Sequence, residues 1–88
     1  MPSPELSVVI PVHNESANIA PLCERLFPVL DRITSAWEVV FVDDGSRDAT
    51  PRLIDALRVA DPDLVALHLS RNFGHQAAVS IGLAHARG

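Results

Sequence analysis

The chain contains no lysine and a single cysteine, Cys23, in 88 residues. Without lysine there is no ammonium group for a Gly-x-x-x-x-Gly-Lys-[Ser/Thr] loop. Neither that pattern nor Gly-x-Gly-x-x-Gly occurs, so P-loop and dinucleotide-binding enzymes drop out. One cysteine cannot close an internal disulfide, and zinc needs more ligands at the right spacing, so a reducing compartment is expected. Positive charge is scarce as well. Seven arginines against eleven acidic residues leave a net charge of −4, with no basic run to release counterions from a phosphate backbone, so nucleic acid is not an expected partner. No stretch reaches the roughly 18 consecutive apolar residues of a spanning helix. Met1 to Glu5 carries none of the positive charge that begins a secretory leader, so neither feature is expected. A nucleophilic triad is a weak reading, because no Gly-x-Ser-x-Gly elbow occurs and Ser46 follows Gly45 in another context.

What is present suits one folded unit. Apolar residues make up 48% of the chain and charged residues 20%, enough for a core at a length that allows a single domain. Three runs, Leu6 to Val12, Glu38 to Val42 and Leu64 to Leu69, are β-branched and nearly continuous, as strands covered on both faces of a parallel sheet are. Between the first two, Ile19, Leu22, Leu26, Val29, Leu30 and Ile33 fall on one helical stripe. Asn18 is the expected N-cap, with Pro21 in the first turn, and Pro28 is expected to kink or interrupt the helix, with a bend near Leu26. A second helix is expected to start around Asp48 to Pro51, with Thr50 as cap and Pro51 as first helical position, and to stop at Asp61-Pro62. A third is expected from Gly74, with Ala77, Ala78, Ile81 and Ala84 on one face and Gly88 as its C-cap. The order βαβαβα predicts a three-layer α/β parallel half-sheet, Rossmann-like, with right-handed crossovers and strand order 3-2-1. That order leaves apolar strand one as an open edge, which natural sheets avoid. Residues 1–88 are therefore expected to be the N-terminal part of a larger domain, prone to self-association through that edge.

Parallel α/β sheets bind ligands at the carboxyl ends of their strands. The three turns there are Pro11-Val-His-Asn-Glu15, Asp43-Asp-Gly-Ser46 and Ser70-Arg-Asn-Phe-Gly-His75, all dense in polar groups. The opposite loops, Thr34 to Trp37 and Ala60 to Asp63, carry ordinary turn chemistry. Of Asp43 and Asp44, one carboxylate can face the crevice while its neighbour faces the body or the next turn, and Gly45 frees the backbone between them and Ser46. Such a carboxylate accepts from a nucleobase N–H or a ribose hydroxyl, or helps hold a divalent cation; the plainer alternative is an Asx-turn that starts the second helix. Glu15 and Asn14 read equally as site residues or as helix caps. His75, at a helix start, and Arg71 before it suit an anion such as a diphosphate, against a plain surface reading for both. His13 occupies a turn on the same crevice. His68, His85, Cys23 and Trp37 read as structural residues.

Taken together, Val8 to Glu15, Val42 to Thr50 and Ser70 to Ala78 resemble family 2 glycosyltransferases of the GT-A fold, in particular the branch of dolichyl-phosphate mannosyltransferases and bacterial polyprenyl-phosphate glycosyltransferases. The resemblance covers nearly the whole chain. It implies inverting transfer of a sugar from a UDP- or GDP-linked donor to a polyprenyl phosphate, as in cell-envelope glycan synthesis, in the cytoplasm at the membrane face. It also implies that Pro11, His13 and Glu15 line the base and ribose pocket, where the family more often has tyrosine at the place of His13. Asp44, with Asp43 beside it, would accept from the base, and Arg71 to His75 would lie near the diphosphate. The family's Asp-x-Asp motif, which binds Mg2+ or Mn2+, follows a helix ending in Ala-x-Gly, as Ala86-Arg-Gly88 does here. Metal ligands, catalytic residues and acceptor contacts are thus expected beyond Gly88, and the chain alone is expected to be inactive. The competing reading is a stand-alone binding or receiver-like regulatory module, in which Val-Asp-Asp serves as a cation-binding pair. Against it, a receiver places that pair after its first strand and needs a later lysine, whereas here the pair follows strand two and lysine is missing.

Overall fold

The computed structural model describes residues 4–87. Three strands, β1 (Leu6–Val12), β2 (Trp37–Asp43) and β3 (Leu64–His68), alternate with three helices, α1 (Ser16–Ile33), α2 (Thr50–Ala60) and α3 (His75–His85). The strands pair in parallel in the order β1-β2-β3, so β2 is central, as the predicted 3-2-1 half-sheet requires.

Side-chain alternation along β2 builds two cores. Trp37, Val39 and Phe41 point to one face, where Ile19, Cys23 and Leu30 of α1 and Ile54 of α2 close over them. Val40 and Val42 point to the other face, against Ala78 of α3. The layers differ in thickness. On the first face Phe27 stacks on Trp37 with centroids 5.1 Å apart, and the indole N–H donates to Asp31 Oδ1 at 2.8 Å. On the second, α3 comes so close at Gly82 that a Cβ there would stand 2.3 Å from Val9 Cγ1 and 2.9 Å from Val42 Cγ2. The buried side of α3 is accordingly Ala78 and Gly82, whereas Ala84, expected on that face, is exposed.

Helix limits depart from the sequence expectations in instructive ways. α1 starts at Ser16 rather than after Asn18, and it continues through both Pro21 and Pro28. α3 ends at His85 with an extended Ala86 as its C-cap; Gly88, the expected cap, lies outside the described residues. Arg87 then anchors the exit of α3. Its backbone N–H donates to Glu38 Oε2 at 2.7 Å and its Nε stands 3.4 Å from Oε1. Glu38 is 1% exposed, and burial alone would raise its pKa. The hydrogen bond from the Ser7 hydroxyl and the contacts with Arg87 outweigh that effect and hold the carboxyl below its ordinary range.

The strand register sets the site. Val12 pairs with Asp43 and Asp43 with His68, so all three strands end at one level and their exit turns stand side by side.

Candidate functional site

Consecutive residues of a strand face opposite sides, and at the end of β2 this sends two adjacent carboxylates to different tasks. Asp43 turns toward the α2 side, where its Oδ1 accepts the Ser46 N–H at 3.0 Å and its Oδ2 lies 3.2 Å from His68 Nδ1. Asp44 turns toward α3, where its two oxygens accept the N–H groups of Phe73 at 2.8 Å and Gly74 at 3.1 Å. Both are buried. Asp44 thereby ties the β2 exit to the start of α3, while Asp43 closes its own turn. Gly45 lies between these turns because nothing larger fits. Its φ is +71°, and a Cβ would sit 2.4 Å from the backbone carbon of Arg71 and 2.5 Å from the Asn72 nitrogen.

The β1 exit is tied in by side chains as well. Asn14 has φ 51°, a left-handed conformation that asparagine tolerates. Its backbone N–H donates to Ser46 Oγ at 2.8 Å, and its Oδ1 accepts the Arg47 N–H at 2.8 Å. The free N–H groups at the start of α1 find acceptors at the start of α2: Glu15 N–H donates to Thr50 Oγ1 at 2.9 Å and Ser16 N–H to Asp48 Oδ2 at 3.3 Å. The other Asp48 oxygen accepts the Thr50 N–H at 2.9 Å. Bonds from Thr50, and then from Ser16, bring the Asp48 pKa down to about 2.

His13 stands at the centre. Its Nδ1 lies 2.7 Å from the Asp44 carbonyl oxygen, which only accepts, so Nδ1 carries a proton. In the neutral ring Nε2 is then the acceptor, facing the amide nitrogens of Asn14 at 3.2 Å and Asn72 at 3.4 Å.

Two adjoining clefts open over these turns and share His13 and Asn72. The larger, about 380 Å³, is bordered by Ser46, Arg47, Ser70 and Arg71, and its charged residues are both arginines. Arg71 is held over the Phe73 ring at 4.7 Å. The smaller, about 230 Å³, is bordered by Pro11, Glu15, Asp44, Gly74 and His75. Of the residues singled out from sequence, Pro11, His13, Glu15, Asp44 and His75 thus meet at the smaller cleft and Arg71 at the larger. Asp43 borders neither and lies beneath, engaged by Ser46 and His68. Sequence reasoning passed over Ser46 and Arg47 as site residues and took in Asn72 only within the stretch from Arg71 to His75; their signal was position in the same turns, without a chemistry distinctive enough to select them. Among the described residues no three of His, Cys, Asp and Glu are grouped to hold a metal ion.

A parallel sheet whose strand-end turns converge on a polar double cleft defines the class of Rossmann-like α/β proteins. Within that class, the family model for glycosyl transferase family 2 matches residues 7–88, and the chain belongs to that family. It is 36% identical over 88 residues to the undecaprenyl-phosphate 4-deoxy-4-formamido-L-arabinose transferase of Salmonella choleraesuis (strain SC-B67), covering 99% of this chain and 27% of that protein. The same figures hold for the transferase of that name from Salmonella paratyphi B (strain ATCC BAA-1250 / SPB7). Among solved structures it resembles the mannosyltransferase PcManGT from Pyrobaculum calidifontis in complex with GDP-Man and Mn2+. The TM-score is 0.67 and the identity 31%, covering 98% of this chain and 25% of that one. The chain therefore spans about a quarter of the length of these relatives. Family membership sets aside the receiver-like reading.

Proposed function

We propose that this chain is the donor-nucleotide-binding part of a glycosyltransferase that moves a sugar, with inversion, from a nucleoside diphosphate to a polyprenyl phosphate at the cytoplasmic face of the membrane. The observation that carries the reading is the pair of joined clefts, one bordered by carboxylates and one by arginines. A nucleoside presents N–H and hydroxyl donors, and the smaller cleft offers Asp44 and Glu15 to accept them. Asp44 already accepts two backbone N–H groups, yet a carboxylate has about four lone-pair positions and so keeps capacity for a ligand. Beside His75, the start of α3 presents backbone N–H groups and the positive end of the helix dipole, and Arg71 and Arg47 lie across the divide from the nucleoside side. A diphosphate laid over His13 and Asn72 would meet positive charge on leaving the acidic cleft. The names of the Salmonella relatives support a polyprenyl phosphate acceptor, and the complex of the Pyrobaculum protein supports a nucleoside diphosphate carrier such as GDP and a divalent metal such as Mn2+ in the whole enzyme, with UDP and Mg2+ the alternatives.

The chain's own residues bind and orient; none is assigned to the bond-breaking step. Charge stabilisation is commonly the largest catalytic contribution, so the isolated chain should hold the donor without turning it over. In this reading residues 1–88 form the N-terminal part of the transferase domain. The isolated chain self-associates through β1, one of the two outer strands of the described sheet, which light scattering would reveal. The test of the assignment is calorimetry with GDP, UDP and the free nucleosides. His75→Ala should lower diphosphate affinity about threefold or more, and nucleoside affinity much less, although His75 also borders the nucleoside cleft. Equal losses for both would contradict it.

A further inference from the structure

His68, read from sequence as a structural residue, bridges two acids from different elements. Its Nδ1 lies 3.2 Å from Asp43 Oδ2 and its Nε2 2.8 Å from Asp55 Oδ1. Carboxylate oxygens of ionised acids only accept, so both contacts are hydrogen bonds only when both ring nitrogens carry protons, that is, when the ring is the imidazolium. β3 packs against β2 and α2, and the charges those elements set against the ring, Asp43 and Asp55, are both negative.

We propose that His68 is a positioning residue for the donor cleft: its imidazolium bridges Asp55 to Asp43 and thereby fixes the turn whose Ser46 borders the larger cleft, so that nucleotide affinity falls as the ring loses its proton. The linkage is a chain of bonds. Asp55 orients the ring, the ring holds Asp43, the other oxygen of Asp43 holds the Ser46 N–H, and the Ser46 hydroxyl accepts the Asn14 N–H. A neutral ring has one N–H. It stays with Asp43, whose side chain is 4% exposed and costly to leave unpaired, and is lost toward Asp55, whose side chain is 50% exposed. The Nε2 lone pair then faces the Asp55 oxygen, that carboxylate swings into water, and the ring loses its orienter.

Burial alone would lower the histidine pKa, but the hydrogen bonds to Asp55 and Asp43 and their charges carry it above 6.5. The bridge is therefore complete below that ordinary value and is lost as pH rises through the raised one.

The functional half of this inference rests on the nucleotide reading; the bridge itself does not. The experiment is ring-nitrogen NMR of the 88-residue chain against pH, paired with GDP and UDP affinity at about pH 6 and about pH 8. The NMR should show both ring nitrogens of His68 protonated below its midpoint, that midpoint above 6.5, and a fall of the midpoint in Asp55→Asn. A midpoint at or below the ordinary value, unmoved by Asp55→Asn, overturns the bridge. Wild-type affinity should fall about fivefold more between the two pH values than that of His68→Gln, which keeps one N–H for Asp43 without a charge. Equal pH dependence in the two proteins overturns the functional half while leaving nucleotide binding intact. Absence of GDP and UDP binding at either pH removes that half together with the donor reading, and the NMR titration still decides the bridge.

Discussion

The two ends of the sheet are joined by different kinds of bond. At the amino end, turns satisfy themselves: Asp61 accepts the N–H of Asp63 at 3.0 Å and Thr34 that of Ala36 at 3.1 Å, each two residues along the chain. Longer ties there, such as Thr34 to Glu5 and Glu38 to Arg87, hold strands and the exit of α3 in place. At the carboxyl end the turns satisfy one another. Asn14 is bonded to Ser46 and Arg47, Glu15 to Thr50, Ser16 to Asp48, and Asp44 to Phe73 and Gly74, across 29 to 35 positions of sequence. Turns that complete one another hold a fixed gap between them, and that gap is the double cleft. An amino-end turn can lose its own local bond without taking one from another turn; a carboxyl-end turn cannot.

Substitutions should break this contrast in a definite order. Gly45→Ala should have the largest effect. It combines a positive φ with a Cβ driven into the backbone of residues 71 and 72, and the loss of stability should reach about 3 kcal/mol in urea denaturation. Asp44→Ala comes next. It strips the acceptor from two N–H groups on another turn, and it should cost about 1–3 kcal/mol in stability, with a comparable loss of donor affinity by calorimetry. Asp61→Ala, at the other end, removes a single exposed local bond. It should stay within about 0.5 kcal/mol and leave nucleotide binding unchanged.

The same contrast explains what was legible in the sequence. Strand β1 was read with its observed limits and β3 to within one residue, because nearly continuous apolar runs are a local signal, but the cover expected on both faces is complete only for β2, while β1 and β3 are mostly half-buried. The stop of α2 before Pro62 and the start of α3 after Gly74 were also local. The N-terminus of α1 was not. Asn18 looked like its cap by residue type, whereas the acceptors that relieve the first N–H groups, Thr50 and Asp48, come from the next crossover. The proline at position 28 does not interrupt the helix, one of the two outcomes expected of it, since α1 runs on through it. In the site, residue type and turn position marked His13, Glu15, Asp44, Arg71 and His75. They could not separate Asp44, at the cleft, from Asp43, beneath it, since that depends on which face of β2 each occupies. Nor could they show His68 joined to Asp55, a pairing that exists only once β3 lies against α2.

The central claim is that the carboxyl end of this sheet holds a nucleoside diphosphate. Backbone amide NMR of the chain during addition of GDP or UDP tests it most directly. The account predicts shifts confined to residues 13–15, 44–47 and 70–75, with the turns at 34–37 and 60–63 unmoved. Shifts centred on the amino-end turns, or none at saturating nucleotide, would contradict it.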